Sequence, residues 1–372
     1  MENQEIKRNK EDFRDWMRPR LRDYYSARID YLRQSLQEII PEDFENRLID
    51  LPDHGSSSFF DPEEIREGMA KPMRQYLHIG GKLFRPLLTC MFIEGYGKEP
   101  DQYKPVLAVS EIIHSCSLIL DDIADASLLR RGQPCSHRIY GIPRAANASS
   151  AMTFYAYLLI RDTGFPLDNN IKLKLYKSLL WEHYITSVGS ALDLGWAKDR
   201  RDAIPEDQYI QHILFRSSSY TYRHAARIGA IAGGADDDDL VSIFRYSSLL
   251  GVAFQFMDDI LNLKPALPSW GKTVAEDITE GKRSPLVLHT LKEASGEDRE
   301  RLLQILDDRI TDPVILQEGV SILEKYDAFE VVRQKAEHYI EKACDHIQMT
   351  KMSGDYIQLL IDFAYYVIER KI

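Results

Sequence analysis

The chain has 372 residues, of which 44% are hydrophobic and 28% charged, a composition typical of a globular protein with a large core. Its net charge of −11 argues against nucleic acid and anionic membrane surfaces as main partners. No stretch approaches the roughly 20 uninterrupted apolar residues that span a bilayer, and the charged N-terminus does not resemble a targeting leader. We therefore expect a cytoplasmic protein without a transmembrane segment.

Apolar residues recur at helical spacing along most of the chain. The first amphipathic stretch is Leu21–Ile40, and Asp61-Pro62 resembles an N-cap followed by proline at the first helical position. Further helices are predicted over residues 105–125, 145–161, 170–196, 206–232, 240–263 and 286–293, with several more up to residue 372. Few runs of β-branched residues are bounded by turns, so strands have little support. The pattern predicts an all-α bundle, with residues 1–20 as an N-terminal extension and residues 21–372 as one domain.

The cysteines contain no C-x-x-C pair, which argues against a zinc-thiolate site. They are Cys90, Cys116, Cys135 and Cys344. We expect them to be reduced and to serve packing.

The first carboxylate cluster is Asp121, Asp122 and Asp125, at the end of an apolar helical run. Asp121 and Asp125 are four residues apart, so on a helix they project from one face about 6 Å apart along the axis. Carboxylates so placed repel each other unless a cation lies between them, and they suit Mg²⁺, which completes its shell with water and substrate phosphate. A solvated acidic helix end is the alternative interpretation of this cluster taken alone.

A second cluster strengthens the metal interpretation. Asp258 and Asp259 again follow an apolar run, with Gln255 three residues before the pair and Asn262 at the i+4 position. Charges at such a place are costly to bury unless they are paired or metal-bound. A denser acidic run, residues 236–239, follows two glycines and has no basic residue nearby. It is predicted to be a solvated helix start, where acidic side chains favour the positive end of the helix dipole.

Three short basic segments could bind diphosphates. Diphosphate recognition requires lysine as a point charge and arginine as a donor of two parallel hydrogen bonds. They contain Lys82 and Arg85 after a glycine pair, Arg130 and Arg131 after the first carboxylate cluster, and Lys272 and Lys282 beside the loop after the second. Each segment alone is more typical of a surface charge. His114 lies seven residues before Asp121, two helical turns along the same face, although alone it is typical of a core histidine.

Together these motifs resemble those of trans-prenyl diphosphate synthases of the farnesyl and geranylgeranyl type, from about Leu21 to the C-terminus. The closest stretch is HSCSLILDDIADASLLRRGQPCSHRIYG, from His114 to Gly141. GGKLFRP, FQFMDDILN and GKTVAEDITEGKRSPL complete four motifs in the family's order. The resemblance implies an isoprenoid synthase helical bundle with a central cavity between two Asp-rich helices, and a homodimer.

The resemblance also implies a role for each matching position. Mg²⁺ ions that bridge an allylic diphosphate would be coordinated by Asp121, Asp122, Asp125 and Asp258. The departing diphosphate would be gripped by Arg130, Lys272 and Lys282, and Gln255 would lie near the developing cation. Isopentenyl diphosphate would be held by Lys82, Arg85, His114 and Arg131. The implied reaction is head-to-tail condensation: the allylic diphosphate ionises, the isopentenyl double bond attacks, and a proton is lost.

Three places depart from the family pattern. Arg216 and Ser217 stand at substrate-binding positions where the family usually has Lys-Thr. Ser190 stands where the family usually has glutamine. Asn262 replaces the last aspartate of the second motif, as geranylgeranyl synthases of this style tolerate. These changes bear on the rate and the product profile.

Cys116 and Ser117 lie one helical turn before Asp121, where many farnesyl synthases of this family carry an aromatic residue that closes the product tunnel. Both residues are small, so we expect a product longer than fifteen carbons, with geranylgeranyl diphosphate favoured over farnesyl diphosphate. The candidates for the lower wall of the tunnel are Met152, Phe154 and Tyr155.

Two other classes of protein share some of these features. A class I terpene cyclase also uses two metal-binding clusters on an all-α fold, but it needs no isopentenyl diphosphate site. Lys82 and Arg85 therefore favour a condensing enzyme. A non-catalytic partner subunit of a prenyl synthase would be expected to lose its aspartate pairs, which are intact here.

Overall fold

The computed structural model describes residues 13–39, 61–78, 80–161, 167–199, 204–264 and 275–370. Their α-helices are α1 (Pro19–Ile39), α2 (Pro62–Ile65), α3 (Lys71–His78), α4 (Phe84–Gly95), α5 (Lys104–Ala124), α6 (Ser136–Tyr140), α7 (Ile142–Arg161), α8 (Asn169–Asp199), α9 (Glu206–Phe215), α10 (His224–Gly233), α11 (Asp237–Leu263), α12 (Glu276–Thr279), α13 (Pro285–Glu293), α14 (Glu297–Asp307), α15 (Pro313–Lys325), α16 (Ala328–Gln348) and α17 (Gly354–Glu369). The remaining elements are the π-helices Arg66–Ala70 and Ser219–Arg223, a 3₁₀ turn at Pro100–Tyr103, and a two-stranded hairpin of β1 (Leu129–Arg130) and β2 (Gln133–Pro134). The predicted all-α class is confirmed.

One predicted helix is wrong. Residues 206–232 were expected to form a continuous helix, but α9 ends at Phe215 and α10 begins at His224. Arg216 leaves helical geometry, with φ −101° and ψ −87°. The π-helix Ser219–Arg223 then leads into α10. The apolar periodicity runs through both helices, so it does not reveal the break.

The described residues form two compact units. The first comprises Tyr24–Leu179 and His224–Ala235. Within it α5 packs along α7, and α4 packs against α10. The second contact is close, because a Cβ at Gly229 would lie 2.5 Å from the carbonyl oxygen of Thr89. Glycine therefore allows these two helices to touch. This unit carries the first carboxylate cluster.

The second unit holds the described residues before Tyr24, Leu180–Arg223 and those from Asp236 onward. Its α11 packs along α16 and also contacts α17. By length and composition α11 could cross a membrane, but 56% of its most apolar window is buried inside the protein. The apolar composition of α11 is therefore explained by its packing in the core of the unit. The second carboxylate cluster lies near the end of α11.

The acidic run at residues 236–239 begins α11, as predicted. Asp236 is the N-cap, and its side chain accepts a hydrogen bond from the Asp239 N–H at 2.9 Å. One expectation is wrong, because Lys351 provides a basic partner by pairing with Asp236. The backbone N–H of Lys351 also donates to the buried Asp239 carboxylate at 3.1 Å. This partner is distant in sequence, so local spacing does not reveal it.

All four cysteines are buried and unpaired, which confirms their expected role in packing.

Candidate active site

The first carboxylate cluster divides into two environments. Asp122 is fully buried and accepts hydrogen bonds from the Tyr76 hydroxyl and from Arg130, whose Nε lies 3.0 Å from Oδ1. Asp121 is half-buried and Asp125 exposed. The Asp125 N–H donates to the Asp121 carbonyl at 2.9 Å, so helical geometry continues to Asp125. As predicted, Asp121 and Asp125 share a helical face.

A hairpin brings Arg130 to Asp122. In β1 and β2, Arg130 pairs with Gln133 across a two-residue turn. That turn consists of Arg131 and Gly132, with φ of 51° and 78°. Two consecutive positive φ angles match a type I′ turn, the form that suits a tight hairpin. The sequence Arg-Arg-Gly thus has a structural role, because its turn directs Arg130 towards a buried carboxylate.

Residues predicted to bind isopentenyl diphosphate meet in the first unit. A Cβ at Gly81 would lie 2.9 Å from Nη1 of Arg131, so the glycine loop packs directly on this guanidinium. Burial, with the positive charges of Arg85 and Arg131, holds the pKa of His114 well below its usual value. His114 is therefore neutral at pH 7 and can form hydrogen bonds without adding to the repulsion between the arginines. Lys82 lies near the Phe84 ring, 5.9 Å from its centroid.

The second cluster divides in the same way as the first. Asp259 is 3% exposed and accepts hydrogen bonds from Gln255 Nε2 at 2.9 Å and from the Tyr209 hydroxyl at 3.1 Å. Burial raises the pKa of the Asp259 carboxyl, as does the charge of Asp277, while the two donors lower it. The Asp258 side chain is 36% exposed and pairs with Arg370, with 3.0 Å between Oδ1 and Nη2.

In both pairs, then, the first aspartate is accessible and the second is buried among hydrogen-bond donors. Within the residues that the structure describes, no three His, Cys, Asp or Glu side chains form a group that could hold a metal ion. The accessible oxygens nevertheless fit Mg²⁺, which takes few protein ligands and keeps positions for water and phosphate. Asp122 accepts hydrogen bonds from Tyr76 and Arg130. Its assignment as a metal ligand stays a prediction.

Asn262, which departs from the family pattern, anchors the chain after the second cluster. Its side-chain oxygen accepts the Asp277 N–H at 3.1 Å, and its carbonyl accepts the Ala275 N–H at 3.0 Å. Lys282 then pairs with Asp277 at 2.8 Å. An amide oxygen makes this contact without adding another negative charge beside Asp259 and Asp277. Lys272 lies outside the described residues.

The Arg216-Ser217 departure also has a structural account. Arg216 forms an ion pair with Asp193. The Ser217 hydroxyl donates to Gln255 Oε1 at 2.7 Å, so serine retains a hydroxyl at this position. Gln255 in turn donates to Asp259, which fixes the orientation of its amide. Ser190 is half-buried on α8.

The residues predicted to control product length lie on α5, opposite α7. Cys116 is buried and Ser117 half-buried; the Ser117 hydroxyl donates to the His114 carbonyl at 2.8 Å. From α7, Thr153 donates to Cys116 Sγ at 3.4 Å. The sequence interpretation missed Thr153, although it lies between the candidates Met152 and Phe154.

The three candidates for the lower wall differ in environment. Met152 is buried, whereas Phe154 is 67% exposed. The Tyr155 hydroxyl donates to the Ile39 carbonyl at 3.2 Å. The exposure of Phe154 argues against a role in the wall within this chain.

Known proteins resemble the chain over most of its length. The sequence profile of the polyprenyl synthetase family matches residues 66–323. A short chain isoprenyl diphosphate synthase of Methanothermobacter thermautotrophicus is 30% identical over 305 residues, which cover 82% of this chain and 91% of that protein. A geranylgeranyl diphosphate synthase of Sulfolobus acidocaldarius is 30% identical over 276 residues, 74% of this chain and 82% of the relative.

The fold has close counterparts among solved structures. The crystal structure of geranylgeranyl pyrophosphate synthetase from Pyrococcus horikoshii aligns with a TM-score of 0.78 at 23% identity, covering 94% of this chain and 98% of the other. Because the profile matches more than half of the sequence, the chain belongs to the polyprenyl synthetase family. The resemblance to trans-prenyl diphosphate synthases is confirmed.

We predict that Arg130→Ala destabilises the fold. Breaking a buried ion pair leaves Asp122 with an uncompensated charge, so the free energy of unfolding should fall by about 3 kcal/mol. Asp121→Ala is the matched control, because it removes a half-buried carboxylate from the same helix and should change stability by less than about 1 kcal/mol. Urea unfolding followed by circular dichroism measures both. Equal unfolding midpoints for Arg130→Ala and wild type would contradict the structural role of this pair.

Proposed function

We propose that this protein is a trans-prenyltransferase that condenses isopentenyl diphosphate head-to-tail with an allylic diphosphate, with geranylgeranyl diphosphate as main product. The observation that carries the proposal is the cluster of two cations, Arg85 and Arg131, around a neutral His114, in the same unit as the aspartates of α5. The aspartates suit ionisation of an allylic diphosphate, and the cations suit a second diphosphate, which a terpene cyclase does not need. Membership of the polyprenyl synthetase family supports this assignment.

Mg²⁺ is the cofactor that these carboxylates fit. Asp121, Asp125 and Asp258 would hold it, because they are the accessible aspartates of the two clusters. When bound, the metal supplies Lewis-acid stabilisation of the negative charge on the departing diphosphate. Asp122 contributes by keeping Arg130 in place, and Arg370 forms an ion pair with Asp258.

The chain's own cations bind and orient both substrates in this proposal. The departing diphosphate is held by Arg130, Lys272 and Lys282. Isopentenyl diphosphate is held by Lys82, Arg85, His114 and Arg131. A neutral His114 donates a hydrogen bond to phosphate while the arginines supply charge. Gln255, with its amide fixed by Ser217 and Asp259, lies near the developing cation. Positioning and preorganised electrostatics are then the main catalytic effects.

We predict that Asp121→Ala and Asp258→Ala each lower kcat by about 10³-fold. Loss of one metal-binding carboxylate should remove about 4 kcal/mol of transition-state stabilisation. The assay measures incorporation of isopentenyl diphosphate, and EDTA should abolish it. Asp238→Ala is the matched control, since Asp238 is an exposed acid in the first turn of α11. Full turnover in EDTA, or near-normal kcat for both active-site variants, would contradict the metal assignment.

We predict that Ser117→Phe shortens the main product while condensation continues. The larger side chain fills volume one turn before Asp121 without touching the carboxylates themselves. Chain-length analysis by chromatography should show a shift from twenty carbons towards fifteen. Phe154→Ala is the control, because its ring is 67% exposed, and the product should stay the same. If wild type already stops at fifteen carbons, another residue closes the tunnel.

We further propose that the protein is a homodimer. Helix α8 exposes a row of large apolar side chains at helical spacing in the second unit: Leu180, Trp181, Tyr184 and Leu194 are 52–64% exposed. Several large apolar side chains exposed on one helix are typical of protein–protein contacts, and two copies of one helix face can pair about a two-fold axis.

We predict that the double variant Leu180→Glu/Tyr184→Glu dissociates this dimer, because paired faces would bury unpaired charges. Light scattering should report a dimer for wild type and a monomer for the variant. Val314→Glu, at a site that is 78% exposed on α15, should remain dimeric. A monomeric wild type at micromolar concentration would refute the proposal.

A further inference from the structure

The segment from Arg216 to Arg223 joins α9 to α10 and carries two residues of the proposed site. Its backbone is irregular: Arg216 is non-helical, and Ser219–Arg223 is a π-helix. π-helices are rare, and they occur frequently at functional sites. The segment therefore needs specific contacts to keep one conformation.

A buried ion pair supplies those contacts at the C-terminal end. Arg223 donates to both carboxylate oxygens of Glu182, with 2.6 Å from Nη2 to Oε2 and 3.2 Å from Nε to Oε1. The Ser219 hydroxyl donates to the same Oε2 at 2.5 Å, so both ends of the π-helix bond to one carboxylate. The side chains of Glu182 and Arg223 are only 2% and 4% exposed. Breaking this pair from one side would leave a buried, uncompensated charge.

Contacts with α11 fix the other end of the segment. The Ser218 hydroxyl donates to the Ser248 carbonyl at 3.1 Å. A Cβ at Gly251 would lie 2.3 Å from Ser218 Oγ, so glycine is needed for this approach. The preceding residue, Ser217, donates to Gln255, which lies one helical turn after Gly251 on α11. Ser217 and Ser218, which directly precede the π-helix, thus both bond to α11.

We propose that the Glu182–Arg223 ion pair positions Ser217, and through it Gln255, for the condensation. Because Ser217 donates to Oε1, the Nε2 of Gln255 faces Asp259. A shift of the segment would free the amide to rotate and would weaken both hydrogen bonds. The inference rests on the proposed function, and it makes Glu182 and Arg223 positioning residues, remote from the substrates.

The test is a double-mutant cycle between Glu182→Gln and Ser217→Ala, with turnover of isopentenyl and geranyl diphosphates in Mg²⁺ as the measurement. Glu182→Gln retains size but loses the charge-assisted bonds. It should lower kcat about tenfold and change the KM for isopentenyl diphosphate by less than about twofold, because positioning acts in the transition state. In the Ser217→Ala background it should lower kcat by less than about twofold. An equal loss in both backgrounds would overturn the proposal.

Two further variants separate positioning from general damage. Arg223→Lys retains the positive charge but loses the two-point hydrogen bond of the guanidinium. It should lower kcat about threefold, and it provides a test even if Glu182→Gln does not fold. Glu318→Gln is the matched control, since Arg301 donates to both oxygens of Glu318, at 2.8 and 2.7 Å, in an exposed pair. Its kcat should equal that of wild type. An unchanged kcat for Arg223→Lys, or an equal loss for Glu318→Gln, would contradict the assignment.

Hydrogen exchange tests the role of the Glu182–Arg223 ion pair without an activity assay. Peptides that cover residues 216–223 should exchange faster in Glu182→Gln and Arg223→Lys than in wild type, because the Glu182–Arg223 ion pair no longer holds the π-helix. Wild-type exchange in both variants would overturn the proposal. A wild-type protein that fails to condense isopentenyl diphosphate would instead overturn the proposed function. The exchange rates would still show whether the Glu182–Arg223 ion pair stabilises residues 216–223.

Discussion

Burying the carboxylates of Asp122 and Asp259 would cost several kcal/mol each if they lacked partners. The chain supplies those partners from separate elements: Tyr76 and Arg130 for the first, Gln255 and Tyr209 for the second. Each set fixes the end of an aspartate-bearing helix. The neighbouring first aspartate of each pair is then held at a defined place while its side chain stays partly exposed. In the proposed function, the buried aspartate of each pair stabilises the fold and the partly exposed one would bind the metal.

This constraint links several features that look separate in the sequence. The type I′ turn at Arg131-Gly132 exists in a helical protein because it returns Arg130 to Asp122. On the other helix, Ser217 orients Gln255, and Gln255 bonds Asp259. Polar networks in a low-dielectric interior rigidify their surroundings when every member is bonded. The proposed catalytic groups are therefore preorganised by bonds to the buried aspartates.

The sequence predicted the fold class, most helices and the two clusters, because helical periodicity and i, i+4 spacing are local properties. It failed at residues 206–232, where apolar spacing continues through a break at Arg216 and a π-helix that bonds to Glu182 on α8. It did not reveal Tyr76, 46 residues away, as a hydrogen-bond donor to Asp122, whose assignment as a metal ligand stays a prediction. It also missed the contact of Lys351 with Asp236 for the same reason. In each of these places the structure depends on a contact between residues that are far apart in the sequence.

If the protein forms carbon–carbon bonds between two diphosphate substrates, the amount of diphosphate released must match the amount of isopentenyl diphosphate consumed. Purified protein with Mg²⁺, isotopically labelled isopentenyl diphosphate and each of dimethylallyl, geranyl and farnesyl diphosphate should release one diphosphate for each labelled unit incorporated into a longer allylic diphosphate. Release of diphosphate from the allylic substrate while the labelled isopentenyl diphosphate remains unconsumed would contradict condensation and identify an ionising enzyme of the cyclase class.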